Sequence, residues 1–402
     1  MQNVRSRRNQ ARSLLAFAML VGMIIACDWN KVKENAGKKC FDAGSGSSCL
    51  EYKTWGQNID SRINQQAVGY GYIIINSGLA METKVFGKAR TAPDSPETAM
   101  TQDLRMNAAS VTKTMTAVAA LKLLAAKNVS VTSSISPYLP SGWTLGTGVN
   151  AITFAELMTH TSGIFSSATP PVGFGSDYAS LKSLMGQNIT TKAPQYQNAN
   201  FALFRIIFTY LNGYNDAGKT DAQIAAATDA GYLSYMKTVY EPDIKIACKP
   251  GNNPEFSYPF PQNSAAGTDW GDWTATCGGG GLQLSVQDMG VFMAHLMAGL
   301  YLPKTSNNAN EVTLPQMVSN MYGWDVTWPT THGTCVMKNG NLGGGNPFVP
   351  TLATLFVYCS DTGLGFVGLA NSTLPTMPNR NYGFAGGLDD IVFQAYNASW
   401  QP

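Results

Sequence analysis

The stretch over residues 110–126 constrains the fold more than any other part of the chain. It is almost without charge, and Met115, Val118, Ala119, Leu121 and Leu124 put apolar side chains on nearly every side of the helix it predicts. Such a helix has no face to offer water, so it belongs inside a large domain. The chain can build one. At 402 residues, 44% of them hydrophobic, it is long enough for two domains or one large composite.

On either side of this region the pattern is that of strands. Residues 68–75 are β-branched and aromatic, Asn76-Ser77-Gly78 supplies a turn, and residues 81–86 return, which predicts a hairpin. From Tyr322 the strand pattern resumes, notably over 352–359 and 365–370, before a final helix near 388–400. Between them lie helical stretches near 154–159, 200–211, 221–240 and 286–300, the last opened by a capping box of Ser285 and Asp288. No internal repeat is visible. The order of elements predicts an α+β fold. An antiparallel sheet is formed by both chain ends (61–106 and 320–402) and flanked by helices, with a mainly helical region inserted at 107–319.

The N-terminus has the three parts of a secretory signal over residues 1–26: a basic, acid-free start ending at Arg12, an apolar run over 14–26, and small Ala26 at its close. That run is shorter than the about 20 residues that span a bilayer. Its ending, Ile24-Ile25-Ala26-Cys27, resembles the bacterial lipobox, in which the thiol takes a diacylglycerol and becomes the new N-terminus. An ordinary signal followed by a chance cysteine is the alternative. On the lipoprotein reading Cys27 carries the lipid, residues 27–60 include a Lys-, Gly- and Ser-rich tether, and the exported protein is anchored to a membrane facing the periplasm.

Charge agrees with export. Only 13% of residues are charged, and Asn, Thr, Ser and Gly fill the polar surface instead. Taking Arg5, Arg7, Arg8 and Arg12 from the 27 bases leaves 23 against 25 acids. No basic block remains that suits nucleic acid or an anionic membrane surface.

Cys27 also resolves the cysteine parity. Of 7 cysteines it leaves Cys40, Cys49, Cys248, Cys277, Cys335 and Cys359. None forms C-x-x-C, and His160, His295 and His332 are far apart in sequence, so no zinc site is expected. In an oxidising compartment the six can make three disulfides in any of fifteen connectivities, or some can stay free as buried thiols. Sequential pairing is the expectation: Cys335 and Cys359 flank apparent neighbouring strands, and Cys40 with Cys49 closes a small loop.

Three short boxes carry chemistry. In Ser110-Val111-Thr112-Lys113 the serine and lysine stand three apart on a helix, so both side chains point the same way. A serine hydroxyl needs such an adjacent base or cation to react. The same spacing recurs in Ser234-Tyr235-Met236-Lys237, which reads as helix surface. Ser110 differs because it opens a buried helix, where a lysine is costly unless it has a task. The second box is Tyr196-Gln197-Asn198, just before an apolar helix. A phenol beside two ammonium groups is expected to have a lowered pKa and to serve as a general base. Tyr210-Leu211-Asn212 has the same outline at a helix end. The third box, Lys338-Asn339-Gly340, is followed by Asn341 and strands, and glycine at a strand edge admits a substrate backbone. Lys249-Pro250-Gly251 mimics it but reads as a loop. No G-x-S-x-G elbow occurs, which argues against an α/β-hydrolase triad.

Together these boxes resemble the serine β-lactamase-like superfamily, within it the group of class C β-lactamases, D-amino-acid carboxypeptidases and esterases. The resemblance covers residues 68–372. It includes Phe154-Ala155-Glu156-Leu157-Met158-Thr159-His160-Thr161-Ser162-Gly163, similar to the family's "LLTHTSG" stretch. It also includes the glycine-rich Gly279-Gly280-Gly281-Leu282 ahead of a helix and the strand end Gly368-Leu369-Ala370-Asn371-Ser372. The resemblance implies a β-lactamase/transpeptidase-like fold and no cofactor. It also implies that Ser110 forms an acyl-enzyme while Lys113 and Tyr196 handle the proton. Asn198 orients the substrate amide, and Lys338 supplies positive charge. The backbone N–H groups of Ser110 and Asn341 make the oxyanion hole. His160 shapes a loop. The family's middle residue in the third box is a Thr or Ser whose hydroxyl binds a substrate carboxylate. Here it is Asn339, listed with Lys338 and Gly340 on the substrate side, and an amide differs from a hydroxyl in reach.

The expected activity is hydrolysis of an amide or ester (a β-lactam, a D-amino-acid peptide or a small ester) at Ser110, with a small molecule or peptide as partner and no nucleic acid. The competing reading is a non-catalytic penicillin-binding-like lipoprotein that binds or senses cell-wall fragments.

Overall fold

Successive side chains of a strand point to opposite faces of its sheet. The strands of this chain are apolar at both parities, so the sheet they form has to be covered on both sides. The computed structural model, which describes residues 40–42, 49–165, 176–252, 255–262, 265–330, 332–344, 348–378 and 385–401, has this arrangement.

Strands β1 (Cys40–Asp42) and β2 (Cys49–Glu51) lead into helix α1 (Tyr52–Ile63), and the hairpin β3 (Gly69–Asn76) and β4 (Leu79–Arg90) follows. Short strands β5 (Thr98–Ala99) and β6 (Met106–Asn107) precede α2 (Thr112–Ala126). The inserted region continues with α3 (Phe154–Met158), α4 (Tyr178–Met185), α5 (Asn198–Leu211) and α6 (Asp221–Tyr240), then β7 (Gln283–Leu284), α7 (Val286–Ala298) and α8 (Leu314–Ser319). The chain closes through β8 (Val326–Thr330), β9 (Gly333–Gly344), β10 (Val349–Cys359), β11 (Leu364–Ala370), α9 (Leu388–Asn397) and β12 (Trp400–Gln401).

Seven strands make one antiparallel sheet in the order β5-β4-β3-β11-β10-β9-β8. Both chain ends therefore meet in its middle, where Tyr70 of β3 lies opposite Ala370 of β11. Alternation sorts the side chains. Ile73, Ile75, Phe356, Val367 and Leu369 enter the core shared with the inserted helices. Tyr72, Ile74, Leu355, Val357 and Phe366 enter a second core with Trp55 of α1 and Ile391 of α9. Helix α2 runs through the first core, and Met115, Val118, Ala119, Leu121 and Leu124 are at most 1% exposed. The capping box at α7 is formed: Asp288 N–H donates to Ser285 Oγ at 3.0 Å, and Ser285 N–H donates to Asp288 Oδ2 at 2.8 Å.

One boundary needs correction. Residues 49–60, expected within the 27–60 tether, form β2 and most of α1. Tyr52, Trp55, Ile59 and Ile63 recur at helical spacing and are buried against the sheet, so this segment belongs to the folded body. The signal, Cys27 and the remainder of the tether up to residue 39 lie outside the described residues. Disulfides join Cys248 to Cys277 and Cys335 to Cys359, the latter two being register partners across β9 and β10. Cys49 is disulfide-bonded as well, while the side chain of Cys40 lies outside the described residues.

Candidate active site

The turn that presents Ser110 is held from three sides. Ala108 N–H donates to Leu282 O at 2.7 Å, Thr354 Oγ1 on β10 donates to Ala108 O at 2.8 Å, and Ala109 N–H donates to Asn107 Oδ1 at 2.8 Å. Ala109 adopts φ +48°, a left-handed conformation that an L-residue with a Cβ holds only when its surroundings enforce it. A short 3-10 turn over Ala109–Val111 then leads into α2, so Ser110 stands at a helix N-terminus with Lys113 one turn behind.

Lys113 is completely buried. Its Nζ lies 3.0 Å from Ser110 Oγ and 2.6 Å from Asn198 Oδ1, and it also bonds the carbonyl of Gly279. None of these partners is charged. Burial, and then the charge of Lys338, push its pKa well below the ordinary lysine value, with Asp325 opposing them.

Tyr196 donates from Oη to Ser110 Oγ at 2.8 Å. Both lysines approach its ring, with each Nζ 4.8 Å from the ring centroid. The phenol pKa was expected to be lowered; the net direction is upward, because desolvation in the crowded site outweighs the lowering by Lys338. Since 46% of Tyr196 is exposed, cleft water softens that desolvation. His160 backs the ring at a centroid distance of 4.4 Å and accepts the Gln197 N–H on Nδ1 at 3.3 Å. Burial, then Lys338 and Lys113, hold its pKa down at about 2, so it remains neutral and steadies the loop that carries Tyr196.

Lys338, 1% exposed, is gripped by Asp325, whose Oδ1 and Oδ2 are 2.6 and 2.7 Å from Nζ. Despite burial its pKa is raised, with Asp325 the main counterweight. The sequence reading missed Asp325. Hairpin register was the available signal, because Val326 pairs with Met337 and so sets Asp325 beside Lys338.

Gly340 follows on the same face of β9, and a Cβ there would come within 2.8 Å of the Ser110 backbone nitrogen. Asp325 N–H donates to Met337 O at 2.9 Å, so odd-numbered residues of β9 turn their backbone groups toward β8. Strand β8 pairs only with residues 333–337, which leaves the Asn341 N–H on the open edge beyond it.

Asn339 is a correction. Expected on the substrate side, it points to the opposite face of the sheet, because its neighbours Lys338 and Gly340 occupy the cleft face. Its Nδ2 donates to Asp389 Oδ2 of α9 at 3.0 Å.

The look-alike boxes are elsewhere. Ser234 and Lys237 are exposed on α6, Tyr210 donates to Asp216 at 2.8 Å, and Lys249-Pro250-Gly251 lies in a loop. Among the described residues no group of three His, Cys, Asp or Glu side chains converges as metal ligands do.

The fold is of the β-lactamase/transpeptidase-like type. A family model described as Beta-lactamase matches residues 55–385, so the chain belongs to the β-lactamase family. Among solved structures, it is similar to a class C β-lactamase from Rhodobacter sphaeroides (TM-score 0.59, 16% identity, covering 86% of this chain and 99% of that one). It is similar to a β-lactamase/D-alanine carboxypeptidase from Yersinia pestis (TM-score 0.55, 18% identity, covering 85% and 99%). A D-stereospecific amidohydrolase from Streptomyces is likewise similar (TM-score 0.56, 18% identity, covering 85% and 97%). Comparison with curated protein sequences gives no match.

Proposed function

We propose that this protein is a serine hydrolase that forms an acyl-enzyme at Ser110 and hydrolyses an amide or ester: a β-lactam, a D-amino-acid peptide or a small ester. One observation carries the reading. A serine hydroxyl at a helix N-terminus meets a buried lysine at 3.0 Å and a phenol at 2.8 Å.

The lowered pKa of Lys113 supports it as the base. A neutral amine has two N–H groups and one lone pair. Asn198 Oδ1 and Gly279 O take the two N–H groups, so the lone pair remains for the Ser110 hydroxyl proton. Tyr196 keeps its proton and donates it to Ser110 Oγ, which leaves the serine free to donate to Lys113. In the first step the Oγ–carbonyl carbon bond forms, the proton passes to Lys113, and the bond to the leaving group breaks as that group is reprotonated through Lys113 or Tyr196. Water then cleaves the acyl-enzyme, returning the proton to Ser110. The N–H groups of Ser110 and Asn341 are the proposed oxyanion donors. Asn198 orients both Lys113 and the substrate.

Export and anchoring through a lipid on Cys27, with the catalytic body facing the periplasm, belong to the same proposal. The disulfides Cys248–Cys277 and Cys335–Cys359 support an oxidising compartment. Labelling with a fluorophosphonate and a fluorescent penicillin tests the nucleophile. Labelling by either reagent that vanishes in Ser110→Ala is expected; a wild type inert to both shifts the protein to a binding role. Mass spectrometry of the mature N-terminus checks the lipid.

A further inference from the structure

We propose that Asp325 is a specificity-determining residue that occupies Lys338, so that the site takes an ester or amide with no free carboxylate beside the scissile bond. The inference rests on Ser110 being the nucleophile and narrows what it attacks.

The argument is one of donors and charge. An ammonium group has three N–H donors. Two of those on Lys338 are engaged by the carboxylate oxygens of Asp325, at 2.6 and 2.7 Å, which also match its charge. At most one is left for a substrate carboxylate, too few for a second grip of the kind Asp325 has. The neighbouring position on the strand offers no substitute, since Asn339 Nδ2 is turned behind the sheet to Asp389. The charged groups acting on Lys113 are Lys338 and Asp325. With Lys113 pushed toward its neutral form, its partners all uncharged, and Lys338 matched by Asp325, the surroundings of Ser110 hold little positive charge for an anion. An arriving carboxylate would meet an ammonium already neutralised and would face Asp325 across it at close range. A neutral ester or amide meets no such opposition.

The test compares hippuryl thioglycolate with hippuryl thioglycolamide, two thioesters that differ only in the carboxylate beyond the scissile bond, each rate normalised to its reaction with hydroxide. The wild-type protein is expected to favour the amide by about tenfold or more in kcat/KM. In Asp325→Asn the normalised ratio is expected to move toward the acid by about tenfold, because Lys338 regains free donors. A wild type that favours the acid overturns the inference without any variant, as does an unchanged ratio in folded Asp325→Asn. Failure of both thioesters to acylate Ser110 overturns the nucleophile reading itself, and this inference with it.

Discussion

Lys113 Nζ and Ser110 Oγ face each other at 3.0 Å within a single helical turn, with the lysine wholly out of contact with water. The pair therefore differs from an ordinary surface contact: removal of solvent drives the amine toward its neutral form, the form the proposed base requires.

The pH dependence follows from that sign. A base acts when deprotonated, so a lowered Lys113 pKa lets activity rise through the acid limb well below the ordinary lysine range. Lys113→Ala is expected to lower kcat/KM by about 10²–10⁴-fold and to erase this limb. Tyr196→Phe slows turnover but keeps it. A profile in which Tyr196→Phe loses the limb and Lys113→Ala retains it would reverse the assignment.

Gly340 lines the nucleophile with backbone alone. In Gly340→Ala the new methyl meets the Ser110 nitrogen at 2.8 Å and crowds Thr354 Oγ1, which also holds Ala108. Displacement of this kind costs on the order of 10²-fold in kcat/KM. Steady-state kinetics beside a melting curve separate it from unfolding; near-wild-type kcat/KM would place the substrate elsewhere.

Asp389 is buried, and burial raises its pKa, with the Asn339 bond opposing. A carboxyl raised in the folded state stabilises below its unfolded pKa, and that contribution is lost as pH rises through the folded value. Asp389→Asn is therefore expected to gain stability over the wild type increasingly from acid to neutral pH. Asn339→Ala is expected to cost about 1–3 kcal/mol through the lost bond while leaving kcat/KM close to wild type. Chemical denaturation across pH, with kinetics, checks both. A large loss of kcat/KM in folded Asn339→Ala would return Asn339 to the substrate side.

The two disulfides are expected to differ. Cys277 immediately precedes Gly278 and Gly279, whose carbonyl holds Lys113, and Cys248 O accepts the Trp273 N–H at 2.8 Å. Replacing Cys248 and Cys277 by serine should lower kcat/KM together with a stability loss of about 2–5 kcal/mol. Replacing Cys335 and Cys359, which lie in the core on the other face of the sheet from Lys338 and Gly340, should lower stability with little kinetic change. Equal kinetic effects would refute the distinction.

The sequence by itself determined the elements and the grouping of boxes. The nearly charge-free helix at 112–126, the strands at both ends and the caps at Ser285 follow from periodicity and local hydrogen bonding, and so does Lys113 behind Ser110, since helical spacing is local geometry. Missing Trp55 and Ile59 as a buried helix face came from weighing composition above spacing. What only the tertiary structure decided depends on which faces and edges meet. Strand parity sent Asn339 behind the sheet, hairpin register set Asp325 on Lys338, and enclosure moved the pKa of Lys113 down and that of Tyr196 up. Desolvation and pairing are properties of surroundings assembled from distant segments, and no run of residues carries them.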